Sequence, residues 1–337
     1  MQLSRKFFRY GIFLSVLNIF VFVLYTPAVF AQAKPAQGSD YPNRPVKFII
    51  AQAPGGNADF IARLVAAKLG EAMGQSFVTD NRPGAGGIPA TDATAKASPD
   101  GYTVLLTGSS FGLNPGLYTS LPYDPLKDLA PITMPSNAPN MVVLTQSLPA
   151  RNIKELVDLA RARPGELNFG SSANGGAGHL AGELLKMMAS INMTHVPYKG
   201  AAPALIDLMA GRIQLSFATI PSVMGHVRSG KLRAIAVTSA RRSGAAPELP
   251  TMIEAGYPGF EIGAWQGIFT TTGTPKPVID RLNREIIKAM RAPDVLKRLA
   301  DEGAEPVGNS PEEFAQWLRV EIPKWTQFIK TVGIKVD

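Results

Sequence analysis

The residues of this chain best suited to chemistry sit in five turns rich in glycine and hydroxyl side chains, at 53–57, 82–87, 107–112, 171–178 and 197–201. A turn of this kind between a strand and a helix aims backbone N–H groups outward, at the positive end of the helix dipole. One such terminus favours an anion by about 0.3–1 kcal/mol, and by up to ~2 kcal/mol when partly buried. Any one of these glycines could simply make a tight turn. Five turns of the same make-up point to a carboxylate-holding cleft that needs no arginine.

Covalent chemistry has thinner support. Gly108-Ser109-Ser110-Phe111-Gly112 spells G-x-S-x-G after an apolar run, the nucleophile elbow of α/β-hydrolases. That elbow opens directly into a helix, which Gly112, Pro115 and Gly116 oppose. It also needs a late histidine, whereas His179, His195 and His226 all lie far from the C-terminus. An exported serine esterase using Ser110 is therefore the alternative reading, not the leading one. His179 and His195 read as structural, at a helix start and in a strand. No dinucleotide fingerprint or P-loop occurs. The absence of cysteine excludes disulfides, thiolate metal sites and cysteine nucleophiles. Three histidines without an i,i+4 pair leave no basis for a metal centre. No catalytic residue, metal or cofactor is expected.

The turns need strands and helices to position them. The chain has 337 residues, 45% of them apolar and 18% charged, enough for two or three domains with real cores. Short apolar strands are expected at 46–50, 76–78, 102–106, 141–144, 167–169, 194–196, 213–217 and 232–237. Helical spacing connects them, as in Ile61, Leu64, Val65, Leu69 and Met73, with Asn57 or Asp59 as the cap. Strand, glycine-rich turn, helix, strand is the order of a parallel α/β sheet. The C-terminal stretch is helical without intervening strands. Thr274-Pro275 predicts a cap and first helical residue, Ser310 to Glu313 a capping box, and Pro323 a kink or break.

Residues 1–31 read as an address. Arg5-Lys6-Phe7-Phe8-Arg9 precedes a mostly apolar run that ends in small residues, the pattern of a secretory signal, although the run is also long enough for an uncleaved anchor. Removing its three cations lowers the net charge from +8 to +5. The remaining basic residues form no stripe interleaved with aromatics, so nucleic acid is not expected as a partner. A small-residue linker at 32–43 follows.

Several motifs occur in a specific order from residue 41 onward. They include Tyr41-Pro42-Asn43-Arg44-Pro45, Pro54-Gly55-Gly56-Asn57-Ala58-Asp59, Asn81-Arg82-Pro83-Gly84-Ala85-Gly86-Gly87 and Ser98-Pro99-Asp100-Gly101-Tyr102. Asn174-Gly175 with His179-Leu180-Ala181-Gly182-Glu183, Pro197-Tyr198-Lys199-Gly200, and Gly230-Lys231-Leu232-Arg233 before Leu249-Pro250-Thr251 continue the series. In this the chain resembles the Bug family, the periplasmic substrate-binding receptors of tripartite tricarboxylate transporters. The resemblance implies an α/β, two-lobed periplasmic-binding-protein fold of type II-like topology. Each lobe would be a mixed, mostly parallel sheet flanked by helices, with the ligand in the interlobe cleft. Lobe 1 is expected at 44–140 plus 264–337 and lobe 2 at 141–263.

The resemblance further implies a monomer that captures an organic carboxylate and delivers it to membrane permease subunits. A sensor receptor feeding a membrane kinase would share those features. By the same resemblance Gln52, Ala53, Gly55, Gly56 and Asn57, with Ser109 and Ser110, hold one carboxylate. Ser171, Ser172, Asn174, Gly200 and Ala201 belong to the other lobe's contacts, and Thr219 and Trp265 complete the set.

Two positions depart from the family pattern. Gly176, Ala177 and Gly178 stand where members often carry Ser or Thr, and Ala218-Thr219 where an Asp-Asn pair is common. Both changes remove polar side chains and are expected to leave room, with Trp265, Phe111 and Phe217 as an apolar wall. Asp59 reads as a helix cap, so no carboxylate is placed to receive an ammonium. The expected ligand is a non-amino carboxylate, preferably a dicarboxylate, with an aromatic acid next.

Overall fold

A computed structural model describes residues 41–334, apart from 55, 56, 173, 199 and 302. The expected leader and most of the expected linker lie outside the described residues, as do Gly55 and Gly56.

Strand β1 (Val46–Ile50) shows how the first half is built. Phe48 and Ile50 face one apolar layer, and Ile49 faces the other. A strand apolar on both faces must be covered on both. Helix α1 (Asn57–Met73) covers the first face with Ile61, Val65 and Leu69. The second face meets α2 (Ile88–Ala95) and α3 (Ser110–Leu117) through Ala90 and Phe111. Strands β2 (Phe77–Asn81) and β3 (Thr103–Gly108) flank β1 in parallel, so the turns after β1 and β3 emerge on the same edge.

The next strand, β4 (Leu129–Thr145), is much longer than the four residues expected. Residues 129–139 pair antiparallel with β9 (Gly263–Thr271), and 140–145 with β7 (Leu215–Thr219) and β8 (Leu232–Val237). The strand order is β2-β1-β3-β9-β4-β7-β5-β6, where β5 (Asn168–Ser171) and β6 (Thr194–Pro197) complete the second parallel set. β4 thus belongs to both halves. Val142 and Leu144 join one core with Leu156 of α4 (Ile153–Ala162) and Leu180 of α5 (Ala177–Ala189). Met141 and Val143 join the opposite core with Leu205 of α6 (Ala201–Met209) and Val223 of α7 (Ile220–Arg228).

The C-terminal part comprises α8 (Lys276–Met290), α9 (Pro293–Asp301), β10 (Glu305–Pro306) and α10 (Pro311–Val332). β10 corrects the expectation of helices alone, because it adds to the edge of β4. The Ser310–Glu313 capping box forms as expected. Helix α8 starts one residue later than Thr274-Pro275 suggested, since the Thr274 hydroxyl donates to the Thr271 carbonyl and Pro275 takes the cap position.

The helix breaks expected at proline and glycine are also corrected. Pro323 does not break α10, and α3 is a continuous helix through Gly112, Pro115 and Gly116. The reason is their mutual packing. A Cβ on Gly116 would lie 3.0 Å from Ile329 of α10, so the glycines set how closely the helices approach. Helix α10 buries Phe314, Leu318 and Ile322 with Phe111, then Trp325, Phe328 and Ile329 with Leu113, Leu117 and Phe169. Burying such side chains contributes about 1.5–3 kcal/mol each, which outweighs the ~3 kcal/mol cost of an interior proline.

Candidate ligand-binding cleft

Four helices begin at one place. Ser109 precedes α3, Ala177 opens α5, Ala201 opens α6, and Thr219 precedes α7. All four residues line one cavity of about 140 Å³, together with Asn140, Ser172, Ser216, Ala218 and Ser222. No charged side chain lines it among the described residues. A second, smaller cavity of about 40 Å³ adjoins it, sharing Ser109 and Ala177. Trp265, Trp317 and Trp325, all three tryptophans of the chain, line this second cavity with Glu261 and Glu321. Glu321 is already engaged, accepting from the Trp325 indole N–H and pairing with Lys324. The first cavity therefore offers a small anion backbone dipoles, hydroxyls and an amide, beside apolar side chains such as Leu205 and Phe217.

Residues 61–334 match the model of the tripartite tricarboxylate transporter family receptor. The chain belongs to this family. BugT of Bordetella pertussis is 38% identical to the receptor over 325 residues, 96% of this chain and 98% of that protein. A solved R. palustris structure with adipate shares 38% identity at a TM-score of 0.76, covering 88% of this chain and all (100%) of that one. MatC from Rhodopseudomonas palustris with bound malate shares 31% identity at a TM-score of 0.71, covering 86% and 100%. The two-lobed fold expected from the motifs is the fold of these relatives. The receptor is a solute-binding protein and not an enzyme.

The turn at 171–178 is held by histidines. The Ser171 hydroxyl bonds His195 Nε2 at 2.7 Å, and the Gly175 amide donates to His179 Nδ1 at 3.0 Å. The two imidazoles stack with centroids 3.6 Å apart. Burial, then the neighbouring His195 and Lys186, pushes the His179 pKa down to about 3. Burial, then Lys186, pushes that of His195 to about 4. Both rings are therefore neutral and structural near neutral pH, as their positions in the sequence suggested. The Gly200 amide donates to the Ser172 carbonyl and ties the turns at 171–178 and 197–201 together.

Of the residues singled out by sequence, Ser109, Ser172, Ala201 and Thr219 meet at the main cavity, and Trp265 lies at the smaller one. Gln52 stands beside Gly108, where a Cβ would come 2.7 Å from its Nε2, and its carbonyl accepts from Asn81. Ala53 and Asn174 are exposed, Ser110 opens α3 without lining either cavity, and Asn57 is the first residue of α1.

The expected cleft wall is corrected at Phe111, and Asp59 and Gly178 have contacts that the sequence did not show. Asp59 pairs with Arg63 at 3.0 Å and accepts from Asn81 Nδ2 at 2.9 Å, so it braces β2 against α1. Phe111 is fully buried against Phe269, with ring centroids 4.6 Å apart, and forms core rather than cleft wall. Gly178 lines the main cavity and is also a close contact within the protein. A Cβ there would stand 2.3 Å from the Phe217 carbonyl oxygen, so the glycine permits close contact between α5 and β7.

Sequence reasoning missed Asn140, Ser216 and Ser222 at the main cavity, and Asn137 and Gln266 on the connecting strands. Ser216 lies within, and Asn140 just before, a strand read as apolar core, whereas Ser222 lies in α7 and Asn137 and Gln266 lie in parts of β4 and β9 where no strand was expected. The available signal was an amide or hydroxyl interrupting such a run. Buried polar atoms without a protein partner include Asn137 Oδ1, Asn140 Nδ2, Gln266 Oε1 and Thr107 Oγ1.

Proposed function

We propose that the receptor captures a non-amino organic carboxylate in the periplasm and passes it to the membrane permease subunits of a tripartite tricarboxylate transporter. A dicarboxylate is the preferred ligand and an aromatic acid the next. The reading rests on one observation above all, the convergence of four helix N-termini on a cavity with no charged lining among the described residues. Such a site suits an anion, because desolvated N–H groups replace water around a carboxylate and need no counter-charge. It does not suit an ammonium, which calls for a carboxylate or several carbonyls. Ala218 lines the cavity where relatives often carry Asp, and Asp59 is committed to Arg63 and Asn81. Adipate and malate, found with two of the relatives, are both dicarboxylates.

Ser109 comes from the half built on β1 and β3, while Ser172, Ala201 and Thr219 come from the half built on β5 to β7. A ligand held by both halves favours their closure. We assign the halves to residues 44–140 plus 264–337 and 141–263, with delivery as the outcome of closure.

Isothermal titration of the mature protein tests the ligand class. Micromolar binding of adipate, malate or a phthalate-like acid is expected, with aspartate and glutamate weaker. Micromolar aspartate or glutamate with none of those acids would refute it.

A further inference from the structure

We infer that His179 and His195 are positioning residues for the ligand, which set carboxylate affinity by fixing the turn at 171–178 against the main cavity. The inference rests on the carboxylate reading above. Ser172, Ala177 and Gly178 line that cavity, and all three belong to this turn. Helix α5 opens there with no capping side chain, because its cap position is Gly176. Helices α4 and α10 are instead capped by Asn152 and Ser310. His179 supplies the restraint from inside α5. Its ring turns back so that Nδ1 accepts from the Gly175 amide at 3.0 Å, which holds the chain one residue before the cap. The cap position itself stays bare, so the amides of Ala177 and Gly178 are not spent on a capping side chain.

The restraint is rigid and acts on both ends of the turn. His179 is 5% exposed, and its ring stacks on that of His195 in β6, with centroids 3.6 Å apart and planes 8° from parallel. His195 Nε2 in turn bonds the Ser171 hydroxyl at 2.7 Å. One ring therefore holds the residue before Ser172, and the other holds the residue before the α5 cap. Phe169 packs against both, its centroid 6.2 Å from that of His179 and 4.9 Å from that of His195. Because His179 Nδ1 accepts, its proton sits on Nε2, 3.9 Å from Glu183 Oε1, an oxygen that Lys186 holds at 2.8 Å. Without the Nδ1 acceptor the buried Gly175 amide would lack a partner, a cost the turn can relieve only by shifting. Hydrogen bonds to an anion depend steeply on distance and angle, so a shifted turn gives up affinity while the fold persists.

Calorimetric titration with adipate and with malate tests this on the mature wild type, His179→Leu and His179→Asn, with thermal unfolding to confirm each fold. Both variants lose the ring and its stacking. Only asparagine keeps an acceptor on the same branch of the side chain, its Oδ1 standing in for Nδ1. His179→Leu should weaken both acids about tenfold, and His179→Asn should bind them at least about fivefold more tightly than His179→Leu. A merely structural histidine gives the same affinity for both folded variants, and that result overturns the inference. A folded His179→Leu protein within about threefold of wild type overturns it as well. If either His179 variant fails to fold, His195→Phe and His195→Gln decide, since His195 lies on the partly exposed edge strand β6. Phenylalanine keeps the stacking and loses the partner of Ser171, whereas glutamine keeps a polar group for it. His195→Phe should bind at least about fivefold more weakly than His195→Gln, and equal affinities overturn the inference. A wild type that binds neither acid refutes the carboxylate reading, and this one with it.

Discussion

Replacing Gly178 by alanine should damage both stability and binding, and the size of the effect follows from a single distance. The added Cβ would stand 2.3 Å from the Phe217 carbonyl oxygen. An ordinary carbon–oxygen contact is about 3.3–3.6 Å, so one backbone must move by about 1 Å. Both are anchored, since Gly178 lies in the first turn of α5 and Phe217 pairs with Val142 in β7. Overpacking of this kind costs about 1–3 kcal/mol. The strain falls where Phe217, Ala218 and Thr219 line the main cavity, so carboxylate affinity should drop at least about tenfold, about 1.4 kcal/mol. Gly225→Ala provides the control. Gly225 lies within α7 with nothing near its would-be Cβ, and alanine there should stabilise by about 0.5–1 kcal/mol. Urea midpoints of the two variants should therefore move in opposite directions from wild type, and only Gly178→Ala should lose affinity. A Gly178→Ala protein as stable as Gly225→Ala, with unchanged affinity, would show that the close approach does not shape the cleft.

Arg82→Ala should leave affinity within about threefold, because Arg82 bonds Asp80 at 3.0 Å and Asp80 also holds Lys47. A loss near a thousandfold, about 4 kcal/mol, with the fold intact would mean that an arginine anchors the ligand after all. The stacked histidines make stability depend on acid. Their pKa values lie near 3 and 4 in the folded protein, below the ordinary 6.5, so the unfolded chain binds more protons. Stability from this source is complete above about pH 6.5 and is lost as pH falls toward 4, with His179 alone accounting for about 2 kcal/mol at pH 5. His179→Gln should flatten the urea midpoint between pH 7 and pH 5, and an unchanged slope contradicts the burial argument. Small-angle scattering of the mature protein should show compaction at saturating adipate or malate, and superimposable profiles would count against closure.

Much of this molecule was legible because its signals are local. Val46 to Ile50 is apolar on both faces and can only be a covered strand. Ser310 and Glu313 satisfy each other's amides within one turn. The glycine-rich turns sit where strands meet helices, and the order of motifs from Tyr41 to Thr251 carries the family. The errors came from long-range packing. Pro323 and Pro115 stay helical because α10 and α3 bury apolar side chains against each other, a gain that propensity does not contain. Gly178 lines the cavity and also makes a contact that the sequence did not show, because the Phe217 carbonyl that meets it lies 39 residues away in sequence.

The same division runs through the candidate site. Residue type and local spacing determined that turns at 107–112, 171–178 and 197–201 would offer N–H groups to an anion. Only the tertiary structure decided which of them meet, since Ser109, Ser172, Ala201 and Thr219 converge through a sheet whose strand order is not the chain order. It alone decided that Ser171 is spent on His195, that Asp59 is spent on Arg63, and that the Gly175 amide is spent on His179. The physical reason is that hydrogen-bond satisfaction is a property of three-dimensional neighbours. A sequence states which groups can donate and accept, and folding determines which of them are left to bind something else.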